Sequence, residues 1–104
     1  MKRFDVYLTD LEPTVGKEIK KIRPALIISS DDLNNALDTV IAAPMTTKIK
    51  NWPTRVSVTF ADKDGQIALD QIKTIDKSRL KKKLGTLHGA VTNNVLKKLR
   101  EMFS

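Results

Sequence analysis

The fold class of this chain is decided by the stretch Arg55-Val56-Ser57-Val58-Thr59-Phe60-Ala61-Asp62-Lys63-Asp64-Gly65-Gln66-Ile67-Ala68-Leu69. Polar and apolar side chains alternate from Arg55 to Phe60, which is the period of a strand with one buried face. The segment Asp62–Gly65 predicts a turn, with Gly65 supplying a positive φ. The apolar run Ile67–Leu69 predicts the next strand. A β-sheet therefore forms the centre of the fold.

Similar patterns occur on both sides of this stretch. Apolar and polar side chains alternate through Asp5–Leu11, as in a half-buried strand. Ala25–Ile28 and Val40–Ala43 are continuous apolar runs, which favour strands covered on both faces. Pro44 is expected to mark the edge of the second run or a bulge. Ile72–Ile75 predicts one more short strand.

The remaining segments predict loops and helix. Glu12–Ile22 is polar, contains Pro13 and Gly16, and predicts a loop long enough to be functional. Ser29–Asp38 is rich in Ser, Asp and Asn and predicts a turn or a short capped helix. Near the C-terminus, apolar side chains follow helical spacing: Val91, Val95, Leu96, Leu99, Met102 and Phe103. The pattern favours one mainly β (α+β) domain over residues 1–104, a compact barrel with a C-terminal α-helix.

Composition restricts the function classes. The chain has 104 residues, a net charge of +7, a pI near 9.8 and no cysteine. The charge attracts polyanions such as RNA, DNA, an acidic protein or an anionic membrane, or it serves solubility. The lack of cysteine excludes disulfides, thiol catalysis and thiolate zinc sites. Without a signal-like segment or an apolar run of roughly 20 residues, we expect a cytoplasmic protein without membrane contact.

Metal and cofactor signatures are missing. The chain has one histidine, His88, no HExxH-like or DxD-like pairing suited to a metal, and no P-loop motif. A pair of catalytic histidines cannot be assembled within one chain, and we interpret His88 as a structural or exposed residue. No metal and no cofactor are therefore expected. Because so small a core leaves little room for a pocket, an active site is expected in a surface groove.

Two polar, basic loops flank the buried strands. The first runs through Pro13–Glu18 to Arg23, and the second runs from Pro44 through Lys48 to Arg55. Pro24 favours an extended backbone at Arg23 and so restricts where this guanidinium points. Arg23 is either a functional cation or a partner of Glu18 or Glu12 that pins the loop.

Six segments together resemble the MazF/PemK family of toxin endoribonucleases: Asp5-Val6-Tyr7, Asp10-Leu11, Pro13-Thr14-Val15-Gly16-Lys17-Glu18, Arg23-Pro24, Pro44-Met45-Thr46-Thr47 and Asp70-Gln71-Ile72-Lys73-Thr74-Ile75-Asp76. They occur in family order from Asp5 through Leu80. Two departures stand out. Arg3-Phe4-Asp5 replaces the common Arg-Gly-Asp or Arg-Gly-Glu, and Ile19-Lys20-Lys21 replaces a Gln-Gly stretch, which predicts a stiffer and more basic loop.

The resemblance implies a fold, a reaction and partners. The fold is a small SH3-like β-barrel with a C-terminal α-helix, as in CcdB and MazF proteins. The reaction is sequence-specific cleavage of single-stranded RNA without metal, by attack of the 2′-hydroxyl on the adjacent phosphorus. It leaves a 2′,3′-cyclic phosphate and a 5′-hydroxyl. The implied assembly is a homodimer, and the implied partner is a cognate antitoxin whose acidic tail occupies the RNA grooves.

The resemblance also assigns roles to residues. Arg23 matches the family's catalytic arginine, whose planar fork binds two phosphoryl oxygens. Thr46 matches the catalytic threonine, although a threonine at a strand end also bonds to backbone. Asp70 falls where some members place a general base, and it is equally well explained as a structural carboxylate. Seven residues are candidate substrate contacts: Lys17, Glu18, Thr47, Lys48, Asn51, Trp52 and Gln71.

Several alternatives remain. Trp52 can stack an unpaired base or anchor its own loop. The basic run Lys77–Lys83 can hold a phosphate backbone or form a solvated segment. A non-enzymatic poison such as the CcdB-type proteins that trap DNA gyrase is a rival from another class. A basic nucleic-acid-binding module and a family member that has lost catalysis are further rivals.

Overall fold

The computed structural model describes residues 1–104 and contains seven strands, two α-helices and two 3-10 turns. The strands are β1 (Asp5–Asp10), β2 (Ile22–Ile27), β3 (Thr39–Thr46), β4 (Arg55–Phe60), β5 (Lys63–Ala68), β6 (Lys73–Asp76) and β7 (Leu80–Thr86). The helices are α1 (Asp31–Ala36) and α2 (Ala90–Met102), and the 3-10 turns are Leu69–Gln71 and Lys77–Arg79. Neither α-helix is long and apolar enough to cross a bilayer.

The strands form one curled antiparallel sheet in the order β4-β5-β3-β2-β1-β7, with β6 paired to β3. β3 is the central strand. Its Ala42 lies opposite both Ile27 of β2 and Lys73 of β6, so these two neighbours occupy opposite edges of β3. The last residues of β3, Met45 and Thr46, pair with β5. The sheet thus forms a half-barrel with a C-terminal helix, which confirms the mainly β fold class predicted from the sequence.

Both faces of the central strands are buried. Leu26 of β2 and Ala43 of β3 belong to a larger apolar cluster, which also contains Val95 of α2. Ala25 and Ala42, their neighbours in sequence, belong to a second cluster. Because successive strand residues point to opposite faces, the continuous apolar runs supply both clusters at once. The prediction of doubly covered strands is confirmed.

One strand boundary differs from the sequence prediction, and one of the two alternatives for Ser29–Asp38, the short capped helix, is confirmed. Of the two alternatives for Pro44, a strand end or a bulge, the strand end is wrong, because β3 continues to Thr46. Pro44 lies between the stretch of β3 that pairs with β6 and the stretch that pairs with β5, so its missing N–H interrupts neither ladder. In the segment Ser29–Asp38, a short helix forms with Ser30 as its N-cap, whose hydroxyl accepts the Leu33 N–H at 3.3 Å.

Strand β7 has no counterpart in the sequence prediction. It includes Lys81, Lys82 and Lys83, which the sequence analysis assigned to a basic block, and it pairs with β1 along the sheet edge. All three lysines are exposed, so β7 lacks the apolar alternation that identified the other strands. Charged side chains on an edge strand also discourage pairing with another chain.

The prediction that Gly65 supplies a positive φ to the turn is wrong. The turn between β4 and β5 places Ala61 and Asp62 at positive φ, 51° and 62°, whereas Gly65 lies inside β5 without one. A Cβ at position 65 would lie 2.6 Å from the carbonyl oxygen of Thr46. Gly65 therefore allows β5 to approach the end of β3 closely.

We predict that Gly65→Ala destabilises the protein. The contact with the Thr46 carbonyl forces backbone to move, which costs about 1–3 kcal/mol and exceeds the roughly 0.4–1 kcal/mol that a Gly-to-Ala change gains in the unfolded chain. The control is Gly85→Ala, whose Cβ would meet the Phe60 ring at 3.3 Å, a side chain that can shift. Urea unfolding measures both variants, and a Gly65→Ala variant as stable as wild type would contradict the steric argument.

Candidate active site

The pairing of β2 with β3 brings Arg23 and Thr46 together. Ala25 lies opposite Pro44 at the end of the described pairing. Arg23 precedes this pair by two residues on β2, and Thr46 follows it by two residues on β3, so both lie just beyond the paired ends of the two strands. Both residues line one surface cleft of about 280 Å³, with Thr47, Lys63 and Gln66 also in its wall. The arginine and threonine that the sequence singled out therefore share one site.

The guanidinium of Arg23 is held from one side. Its Nε–H donates to the carbonyl of Lys20 at 2.9 Å, and its two terminal amino groups make no hydrogen bond or ion pair. The alternative pairing with Glu18 or Glu12 is not formed. Glu18 instead lies 3.8 Å from Lys73, and Glu12 accepts the Lys21 N–H at 3.0 Å. The fork of Arg23 can thus bind an anion without breaking an existing ion pair.

The hydroxyl of Thr46 is oriented by the backbone. Its Oγ1 accepts the Lys48 N–H at 3.1 Å, which is the strand-end bond considered in the sequence analysis. This bond uses a lone pair and leaves the hydroxyl proton able to donate to a bound group. Thr46 lines the Arg23 cleft and two adjoining cavities. It therefore lies where these surfaces meet.

The long first loop and the start of the second loop form a positive cavity of about 450 Å³. Glu18 is the one carboxylate in its lining, and five cations face it: Lys17, Lys20, Lys21, Arg23 and Lys48. The four ion pairs of the chain include none of these five cations. Unpaired cations lining one concave surface attract a polyanion, and phosphate groups fit this arrangement.

Asp70 lies apart from the Arg23 cleft. Its Oδ1 accepts the Nε–H of Arg55 at 2.8 Å and the hydroxyl of Thr54 at 2.9 Å, and its Oδ2 accepts a terminal Arg55 amino group at 3.3 Å. Burial raises the pKa of Asp70, but the hydrogen bonds from Arg55 and Thr54 outweigh burial and hold it below its usual value. Asp70 is thus an engaged, weakly basic carboxylate, and its role as a general base stays a prediction.

The seven predicted substrate contacts fall into three groups, of which the first, Glu18 and Thr47, lines the positive cavity. Lys17, Lys48, Trp52 and Gln71 line a cavity of about 420 Å³ beside Thr46, while Asn51 is exposed and lines neither this cavity nor the Arg23 cleft. The Oε1 of Gln71 also accepts the Ile19 N–H at 2.6 Å, which ties the first loop to the sheet.

Three contributors to this surface have no predicted role in the sequence analysis. Lys50 and Arg55 line the cavity beside Trp52, and the buried Gln66 holds Lys50 through two backbone hydrogen bonds of 2.9 and 3.0 Å. In the sequence, Gln66 has only the pattern of a strand residue. Its hydrogen bonds to the Lys50 backbone in the loop between β3 and β4 were therefore not predictable. His88 is exposed, and no three His, Cys, Asp or Glu side chains lie close enough together to hold a metal ion.

The protein is a small, mainly β domain with a packed C-terminal helix, and its surface carries a cation-rich cleft that contains Arg23. Residues 2–103 match the family model for PemK-like, MazF-like toxins of type II toxin-antitoxin systems. The chain belongs to this family.

Individual relatives agree with this assignment. Endoribonuclease MazF of Staphylococcus saprophyticus is 47% identical over 90 residues, which cover 81% of this chain and 75% of that protein. The crystal structure of MazF from Deinococcus radiodurans superposes with a TM-score of 0.86 at 24% identity, over 99% of this chain and 96% of the other. A mycobacterial endoribonuclease solved in complex with its cognate antitoxin gives 0.84 at 28% identity, over 99% and 94%.

The lowered pKa of Asp70 gives a stability prediction. A carboxyl whose folded pKa is lowered contributes stability above its unfolded value of about 3.9, and this contribution is lost as the pH falls through the folded value. Asp70→Asn should therefore lower the melting temperature at pH 7, and the deficit should shrink below pH of about 4. The control is Asp62→Asn, at an exposed turn residue outside every ion pair. A deficit of equal size at pH 3 and pH 7 would contradict an electrostatic role.

Proposed function

We propose that this chain is a toxin endoribonuclease, a single domain over residues 1–104, that cleaves single-stranded RNA at specific sequences without a metal ion. Support comes from the 47% identical relative named an endoribonuclease and from the free guanidinium fork of Arg23 beside Thr46. The fork is the observation that carries the proposal, since phosphodiester cleavage requires stabilisation of charge on the phosphoryl oxygens.

In this proposal Arg23 is the electrostatic catalyst. Attack of the 2′-hydroxyl on the adjacent phosphorus concentrates two negative charges on a crowded phosphorane. The Lys20 carbonyl fixes Arg23 through Nε, and the two terminal amino groups donate together to two phosphoryl oxygens. Because the pKa of a guanidinium lies above about 12, Arg23 stabilises charge and is a poor base.

Thr46 supplies a hydrogen bond to the same phosphate. The Lys48 N–H holds its oxygen, so donation of the hydroxyl proton requires no large reorientation. Breaking of the bond between phosphorus and the 5′-oxygen, with a proton supplied to that oxygen by solvent water, then leaves a 2′,3′-cyclic phosphate on one fragment and a 5′-hydroxyl on the other. Asp70 is retained as the proposed general base, although its lowered pKa and its bonds to Arg55 and Thr54 count against it.

In this proposal, the cations of the first loop provide the affinity for the RNA backbone. Lys17, Lys20 and Lys21 lie beside Arg23 and Lys48 in one cavity, where they can contact phosphates on either side of the cleaved bond. An acidic antitoxin segment would occupy the same surface and so compete with RNA. Complexes of relatives with antitoxins support this partner, among them MazE-MazF from Deinococcus radiodurans. In a homodimer, the positive cavities of the two copies would together form a longer basic surface.

Purified protein in EDTA should cleave single-stranded RNA and leave cyclic phosphate ends. Mass spectrometry of the fragments tests the ends, and direct labelling by polynucleotide kinase tests for the 5′-hydroxyl. The control is an RNA of the same sequence with a 2′-deoxy nucleotide at the mapped cleavage position, which should stay intact at that position. Cleavage that requires added magnesium, or fragments with 5′-phosphates, would contradict the mechanism.

Arg23→Ala should lose activity by at least about 100-fold, as enzymes do when one oxyanion donor is removed. Arg23→Lys should also lose most activity, because an ammonium group cannot reproduce the two parallel hydrogen bonds. The control is Lys97→Ala, which removes an exposed charge on α2. Circular dichroism checks that each variant is folded. A folded Arg23→Ala variant with full activity would refute the role of Arg23.

A further inference from the structure

The loop between β3 and β4 exposes a large aromatic side chain beside the proposed active site. Trp52 is the single tryptophan of the chain, and 48% of it is exposed. An indole buried in a core gains far more from the hydrophobic effect than one left half in water. The position of Trp52 on the surface therefore calls for a reason other than packing.

Trp52 is held firmly although it is exposed. The guanidinium carbon of Arg55 lies 4.6 Å from the centre of the Trp52 ring, within the range of a cation–π contact. The Arg55 side chain is only 4% exposed, and Asp70 binds it through two hydrogen bonds. The Arg55 N–H also donates to the Trp52 carbonyl at 3.2 Å. Asp70 therefore fixes the ring through Arg55.

The part of the loop before Trp52 is fixed as well. The side-chain amide of Gln66 donates to the Lys50 carbonyl at 2.9 Å and accepts the Lys50 N–H at 3.0 Å. The Lys48 N–H bonds to Thr46. A loop bonded at three successive points loses little conformational entropy when a ligand arrives, so a ring on it is preorganised for binding.

The surroundings of the ring fit one class of ligand. Trp52 lines the cavity of about 420 Å³ that also contains Thr46, Lys17, Lys48 and Lys50, and no carboxylate lines this cavity. Thr46 is shared with the Arg23 cleft. An aromatic face among unpaired cations suits an unpaired nucleobase flanked by phosphates, since the base stacks while the cations hold the backbone.

We propose that Trp52 stacks one unpaired nucleobase of the RNA adjacent to the scissile phosphate, and that Asp70 is the positioning residue that holds this platform through Arg55. The inference deepens the proposed RNA cleavage and rests on it. It gives Asp70 a role that does not require the carboxylate to accept a proton.

Tryptophan fluorescence tests the stacking directly, because all tryptophan emission comes from Trp52. The probe is a mixed-sequence, single-stranded 2′-O-methyl oligonucleotide, which lacks the hydroxyl nucleophile and cannot be cleaved by the proposed route. We expect a saturable change in emission. An abasic oligonucleotide of equal length and charge is the matched control, and it should leave the emission nearly unchanged. An equal response to the abasic strand, or no response to the 2′-O-methyl strand, would overturn the proposal.

A polyglutamate peptide tests the other plausible occupant of this surface. If it changed the emission of Trp52 as strongly as the 2′-O-methyl strand, the platform would fit an acidic peptide, and the assignment to a nucleobase would be overturned. A response confined to the strand that carries bases supports the proposal.

Kinetics separate stacking from catalysis. Trp52→Ala should raise KM by about 5- to 150-fold, the equivalent of roughly 1–3 kcal/mol per stacked base, and leave kcat within about twofold. Trp52→Phe keeps an aromatic ring and should restore most of the affinity. The control is Lys97→Ala, which should change neither constant. If wild-type protein cleaves RNA and Trp52→Ala has an unchanged KM, the platform is refuted while the proposed cleavage stands.

Asp70→Asn distinguishes positioning from proton transfer. As a positioning residue, Asp70 should affect KM and the Trp52 emission of the free protein, and the pH profile of kcat should keep its shape. Loss of the acidic limb of that profile, where protonation of a base lowers kcat, with KM unchanged, would instead identify Asp70 as the base and overturn this part of the inference. If wild-type protein cleaves no RNA, the proposed function fails, and the fluorescence titration still decides whether Trp52 binds bases.

Discussion

The register of β2 against β3 is the constraint on which the active site depends. A shift by one residue would turn Arg23 to the opposite face of the sheet from Thr46. Such a shift would also separate Leu26 from Ala43, which share one apolar cluster, and turn Leu26 toward the face of the other cluster. Because β2 and β3 are buried on both faces, core packing penalises every wrong register. The packing energy that fixes the sheet register therefore also fixes the relative position of Arg23 and Thr46 in the proposed active site.

The charged side chains fall into two sets, those that form ion pairs within the chain and those near Arg23 that do not. Asp5 and Asp70 each accept hydrogen bonds from several donors and form ion pairs with Lys83 and Arg55. The cations around Arg23 have no such partners. Unpaired like charges repel, so this region gains less stability than the same residues would give if paired. Because these cations are not neutralised by carboxylates of the chain, the positive cavity remains able to bind an anion.

Sequence patterns predicted the elements whose stability is local in origin. Strand β4 and helix α2 follow from the spacing of their own apolar residues. Features that depend on distant contacts were not predictable, such as the approach of Gly65 to the Thr46 carbonyl. The left-handed backbone conformation of Phe4, at φ 72°, was also not predictable from the sequence. It occupies the position of the family's common glycine, and its ring packs against the larger apolar cluster, which offsets a strain of roughly 1–2 kcal/mol.

The departure Ile19-Lys20-Lys21 in the first loop changes charge more than geometry. The loop orients the site through backbone atoms, since the Ile19 N–H bonds to Gln71 and the Lys20 carbonyl accepts from Arg23. Lys21 adopts a left-handed backbone conformation, at φ 71°, which a glycine in this loop would adopt without strain. The two added lysines line the positive cavity beside Arg23. The departure is therefore compatible with an intact guanidinium position, and its physical effect is a stronger, less selective attraction for phosphate than a neutral Gln-Gly loop would exert.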